Sequence, residues 1–129
     1  MKKYLLAVLG SGVWINVSEF IRNELVIKKL WINGFNEMGL TFPSTPINGA
    51  VWGLWAFIFA SILAWLTTRF STLSSALIAW ITGFVLLWLA MINMGVLPSG
   101  IIYWAVPWSF IEVYIAAQIC SKIITEKTV

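Results

Sequence analysis

The sequence predicts an all-α membrane protein: four transmembrane helices in an antiparallel up-down bundle, with both termini on the cytoplasmic side. Three observations lead there. Of 129 residues, 60% are hydrophobic and only 10% are charged, whereas a soluble domain carries roughly 25% charged residues. Four apolar stretches, about 4–23, 48–68, 73–96 and 100–121, each reach the ~20 residues that a helix needs to cross the hydrocarbon core. The connections after the second and third stretches are Arg69-Phe70-Ser71-Thr72 and Leu97-Pro98-Ser99-Gly100, short enough to make neighbouring helices antiparallel hairpins. A chain this short does not build two sizeable cores, so 1–129 reads as a single transmembrane domain.

The first stretch opens like a secretory signal, with Lys2 and Lys3 before the apolar run Tyr4–Val17. No A-x-A cleavage site follows, and the helical pattern continues through Glu19 to Arg22, which predicts an uncleaved first span. The segment 24–47 is more polar and carries Lys28, Lys29, Glu37 and the turn-rich Pro43-Ser44-Thr45-Pro46. Within it, Leu25–Trp31 fits a short helix lying at the interface and equally a loop anchored by Trp31 and Phe35.

The later spans carry small residues in stripes. They are Gly49, Gly53, Ala56, Ala60 and Ala64; then Ala76, Ala79, Gly83 and Ala90; then Ala105, Ser109 and Ala116. Lipid tails are as apolar as leucine, so helices in a bilayer associate where small side chains let backbones approach. The stripes suit a tight bundle and equally a seam between copies. Expected partners are therefore the lipid bilayer and either a homo-oligomer or a larger membrane complex.

Orientation follows from the bases. Lys2, Lys3, Arg69, Lys122 and Lys127 fall on the side of the termini, against Arg22, Lys28 and Lys29 on the other. The positive-inside rule places the termini in the cytoplasm and the 24–47 loop outside. Trp31, Trp52, Trp55 and Trp104 near one face and Trp65 near the other form an aromatic belt. Trp80, Trp88 and Trp108 lie deeper and read as packing or lipid-facing residues. The expected location is a multi-pass position in a prokaryotic cytoplasmic membrane.

Composition also excludes chemistry. Histidine is absent, which removes the commonest zinc, copper and haem ligand and any Ser-His or Cys-His nucleophile pair. Cys120 is the only cysteine and reads as a buried structural thiol. No phosphate loop or lipidation signal occurs, so neither cofactor nor metal is expected. No basic stripe tracks a phosphate backbone, so nucleic acid is not an expected partner.

The candidate functional residues are polar groups within the spans. Glu112 lies about twelve residues into the last span, roughly 18 Å deep at 1.5 Å per residue and near the bilayer centre. Intramembrane acids face a bundle interior and mark ion or proton pathways. Ser61 and Thr82 fall near the same depth and are expected to hydrogen-bond to Glu112. Pro107 removes a backbone donor from the same helix and predicts a kink near residues 103–107. Glu19 lies about 6 Å inside the opposite face by helical rise, with Arg22 one turn away as a partner. Asn16, Asn23 and Asn93 complete a polar vestibule there.

Three functions fit. The first is transport or conduction of an ion or small solute, with Glu112 as proton or cation site and Glu19, Asn16, Ser61, Thr82 and Asn93 in support. The second is an accessory or scaffold subunit. The third is a membrane enzyme acting on a lipid-like substrate. It ranks last because the two acids differ in depth by about 10 Å on helical rise, and the sequence leans away from an enzyme.

Overall fold

The computed structural model describes residues 1–125; Lys127, counted in the charge asymmetry, lies outside them. Among the described residues every regular element is helical. Helix α1 spans Lys2–Phe20 and runs without a break into a π-helical turn, Ile21–Val26. Helix α2 spans Lys28–Glu37 and α3 spans Pro46–Thr67. Helix α4, Thr72–Trp80, passes through a second π turn, Ile81–Val85, into α5, Leu86–Asn93. Helix α6 covers Ile101–Thr125.

Three continuous rods, Lys2–Val26, Pro46–Thr67 and Thr72–Asn93, are long and apolar enough to cross a membrane. The fourth, α6, has the length but is not among them. Ser109, Glu112, Gln118 and several Tyr and Trp residues dilute its apolar content. The segment after α1 resolves into a helix, which begins at Lys28 and thus later than the Leu25 start considered from sequence.

Local chemistry sets the helix ends. Before α3, the Asn48 side chain accepts from the Thr45 backbone N–H at 3.2 Å, and Pro46 occupies the first helical position, where its missing donor is harmless. Ser71 caps α4 by accepting from the Ser74 N–H at 3.2 Å. Gly39 and Gly95 follow α2 and α5 with φ of 71° each, the left-handed conformation that terminates helices at glycine.

Side-chain contacts join the rods pairwise. Tyr4 donates to the Ser61 carbonyl at 2.6 Å, and a side chain at Gly12 would run into Phe57, so α1 and α3 run in opposite directions. Cys120 of α6 lies against the Ala7 carbonyl, while Trp14 reaches the Glu112 carbonyl at 3.0 Å. Helices α4 and α6 are tied by Thr72 with Ser121 at 2.8 Å and by Trp80 with Ser109 at 2.9 Å. The small residues Ala56, Ala60, Ala64, Ala76, Ala79, Ala105, Ser109 and Ala116 are all buried within the chain. They serve contacts between its own helices, whereas Gly49 and Ala90 of the stripes are exposed. Cys120 is a free, buried thiol.

Aromatic rings fill the space that these small residues leave. Trp55 stacks on Phe59 with centroids 5.2 Å apart, and Phe59 meets Phe84 edge-on at 5.6 Å. A Cβ at Gly83 would sit 2.6 Å from the Phe59 ring, which Trp55 and Phe84 hold in place. Gly83→Ala is therefore expected to destabilise the protein by about 1–3 kcal/mol through overpacking. Gly49→Ala, with nothing within 4 Å of the added carbon, should change stability by less than ~0.5 kcal/mol. Denaturant titration in mild detergent, followed by tryptophan fluorescence, measures both.

Candidate functional site: a buried Glu–Arg–Glu cluster

Two ladders of side chains face each other between the first and last helices. Trp14, Ser18 and Arg22 recur every four residues along α1 and its π turn, and Trp104, Trp108 and Glu112 do so along α6. Four-residue spacing keeps each set on one helical face. The first ladder converges on Glu112. Trp14 donates its indole N–H to the Glu112 carbonyl at 3.0 Å, and Ser18 donates its hydroxyl to Glu112 Oε2. Arg22 Nη1 lies 3.9 Å from the same carboxylate oxygen. Trp108 donates to Ser18 Oγ at 3.0 Å, so the serine hydroxyl is used as both donor and acceptor.

Arg22 is shared between two acids. Its Nη2 donates to Glu19 Oε1 at 2.5 Å, and its guanidinium carbon stands 5.8 Å from the Phe84 ring centroid, within cation–π range. Arg22 belongs to one π turn and Phe84 to the other; such turns recur at functional sites. Beyond Glu19, Asn23 Nδ2 donates to Glu19 Oε2 at 2.8 Å, and Trp31 of α2 donates to Asn23 Oδ1 at 3.1 Å. A polar thread thus runs from Glu112 through Arg22 and Glu19 to α2.

Burial makes this cluster electrostatically demanding. Glu112 is 1% exposed and Arg22 5%. The rods Pro46–Thr67 and Thr72–Asn93 contain no charged residue, so no further cation reaches the cluster from them. Two carboxylates face one guanidinium, and removing ions from water is expensive unless charges are matched. One proton on either carboxyl makes the cluster neutral. Arg22 Nε, Arg22 Nη1 and Glu112 Oε1 are buried without hydrogen-bond partners, and outside the cluster only Ser75 Oγ joins them among the described residues, which leaves bonding capacity concentrated at this site.

Beside the cluster lies a groove of about 470 Å³ between α1 and α6. Trp14, Ile21, Trp104, Pro107, Trp108 and Ile111 line its walls, and Ser18 and Glu112 lie at its floor. Its rim is open, since Trp104 and Ile111 are among the exposed residues. Helix α6 continues through Pro107, whose ring forms part of the wall.

The sequence-derived candidates divide. Glu112 and Glu19, expected at different depths, meet at one guanidinium. Arg22 is buried between two acids and not at an interface with its head in water. Ser61 and Thr82, expected to satisfy Glu112, instead donate to carbonyls of their own helices, Phe57 at 2.9 Å and Ile78 at 2.7 Å. Short hydroxyl side chains bond back to the preceding turn readily. Asn16 likewise donates to the Gly12 carbonyl at 2.9 Å, and Asn93 is exposed at the end of α5. Ser18, Trp14 and Trp108 were not among the candidates; the four-residue ladder toward Arg22 was the signal for the first two. Among the described residues, no three His, Cys, Asp or Glu side chains group as metal ligands would. No protein-family model, characterised relative or solved structure matches the chain.

Proposed function

We propose that the chain is a four-span membrane protein, its helices an antiparallel bundle, that exchanges a proton for a monovalent cation at the Glu19–Arg22–Glu112 cluster. One observation carries this reading: a buried carboxylate, Glu112, and a half-buried one, Glu19, share a single buried guanidinium, with no other charge supplied by the rods Pro46–Thr67 and Thr72–Asn93. Such a cluster is neutral with one proton or with one bound cation, and singly negative with neither. Alternation between the first two states is the elementary step of proton–cation exchange. In this reading α6 spans the bilayer as well. Its polar residues are supported because Ser109 and Glu112 face neighbouring helices and not lipid. Glu19, less buried than Glu112, is the end of the thread through which the proton meets water on the side of α2.

The test uses sealed vesicles containing the purified protein and an internal pH indicator. Adding Na⁺, K⁺ or an organic cation outside should alkalinise the interior as protons leave. Glu112→Gln should reduce that rate to the level of protein-free vesicles. The substitution leaves Glu19 and Arg22 as a neutral pair, so the fold should persist, and a single symmetric elution peak in detergent checks this. Wild-type flux in Glu112→Gln vesicles would remove the cluster from the transport step. Absence of proton movement with every cation offered would remove the exchange itself.

A further inference from the structure

The groove beside the cluster is almost wholly apolar, yet Ser18 and Glu112 lie at its floor. The hydrogen-bond donors there are committed. The Trp14 N–H is spent on the Glu112 carbonyl, the Trp108 N–H on Ser18, and the Ser18 hydroxyl on Glu112. A ligand head that must accept a hydrogen bond therefore finds no free donor in the groove, and the one unpartnered polar atom at its floor, Glu112 Oε1, is a buried acceptor. What remains is charge and aromatic surface. The acids outnumber the base, and indoles are the best faces for a cation that carries no N–H.

Shape adds a second constraint. Trp104 and Glu112 are two helical turns apart on α6, about 12 Å by helical rise, and the wall between them is formed by Pro107, Trp108 and Ile111. The groove therefore extends along the helix. It suits a narrow chain and not a compact polycyclic body. It also opens sideways, through the exposed residues Trp104 and Ile111, so a ligand arriving within the bilayer enters without crossing the core.

We infer that this groove binds a single-chain quaternary ammonium amphiphile, its cationic head against Trp14 and Trp108 above Glu112 and its alkyl chain along the wall toward Trp104. The inference rests on the exchange reading and names its cation. The head replaces one proton: the neutral, protonated cluster takes up the cation, the carboxyl O–H bond breaks, and the proton leaves to water by way of Glu19. The charged groups facing Glu112 are Glu19 and Arg22 from the first helix. Helices α3, α4 and α5 bring none, and Lys122, three turns on, is exposed at the end of α6.

The test uses the full chain in lipid nanodiscs and three probes of equal chain length: decyltrimethylammonium, decanol and decanoate. Binding is read by native mass spectrometry, and proton release by an indicator dye in weak buffer. Decyltrimethylammonium should bind at least about tenfold more tightly than the other two, with close to one proton released per molecule bound. Trp104→Ala should weaken it about fivefold or more, and Glu112→Gln should erase both its advantage over decanol and the proton release. Trp65→Ala, on a rod that does not line the groove, should leave binding unchanged. Equal binding of decanol would overturn the inference, as would an affinity insensitive to Trp104→Ala. If vesicles exchange protons for Na⁺ or K⁺ while decyltrimethylammonium behaves like decanol, the inference fails alone. If decyltrimethylammonium binds with proton release but no cation drives flux in vesicles, the transport reading fails and the groove stands as a binding site.

Discussion

Arg22→Met is expected to destabilise the protein by about 3–5 kcal/mol, the range for removing one partner from a buried ionic group. The methionine approximates the length and apolar stem of arginine, so lost volume is a minor part. The loss comes from Glu19 and Glu112, which then face each other's environment with no cation between them. The contrast that gives this meaning is a double variant. Arg22→Met with Glu112→Gln leaves Glu19 as the only acid, and Glu19 keeps Asn23 as a hydrogen-bond donor. The pair should therefore be markedly more stable than Arg22→Met alone. A double-mutant cycle from denaturant titrations in detergent measures the coupling, and agreement with additivity to within ~0.5 kcal/mol would show that the two residues do not interact.

Ser18→Ala should have the next largest effect, although it deletes a single oxygen. That oxygen accepts from Trp108 and donates to Glu112, and the site is buried. Its removal orphans an indole N–H and one carboxylate contact, at about 1–3 kcal/mol for each group left unsatisfied. Trp108→Phe removes the indole donor while keeping most of the ring. Combined with Ser18→Ala it should cost clearly less than the sum of the two single changes, because only one of the orphaned groups remains. A full sum would mean that Trp108 and Ser18 act separately. The same variants in vesicles should slow cation-driven proton flux, since Ser18 holds the Glu112 carboxyl in position beside Arg22.

The apolar runs revealed the helices, because a bilayer-compatible composition and helical length are properties of consecutive residues. Glu112 stood out for the same reason, as a lone acid in an apolar run. What remained hidden depends on how helices far apart in sequence align. Depth counted along each span separated Glu19 from Glu112 by about two turns. The π turn beginning at Ile21 and the reach of the Arg22 side chain close that gap, and neither follows from residue counting. Ser61 and Thr82 were at a suitable depth but not at a suitable azimuth, and their hydroxyls found nearer carbonyls on their own helices. The sequence leaves Leu25–Trp31 open between a helix and an anchored loop because its mixed basic and apolar residues suit an interface with or without helical order, and the helix forms at Lys28–Glu37. Trp108 looked like filler because nothing local distinguishes an indole that donates to a distant serine from one that only packs.

The cluster also joins α1 to α6 across the intervening helices. Ser18 and Glu112 are 94 residues apart in sequence, and α1 and α6 are the first and last helices among the described residues. During synthesis Glu19 and Arg22 emerge early and neutralise each other as a pair within one turn of helix. Glu112 arrives only after α1–α5 have been made, and it must enter among them as a neutral acid or find Arg22 waiting. A chain stopped after α5 would hold Arg22 with a single acid and Ser18 with no carboxylate to bind. Helix α6 thus docks against an unfinished polar seam, so the residues proposed to handle protons also tie α6 to the helices made before it.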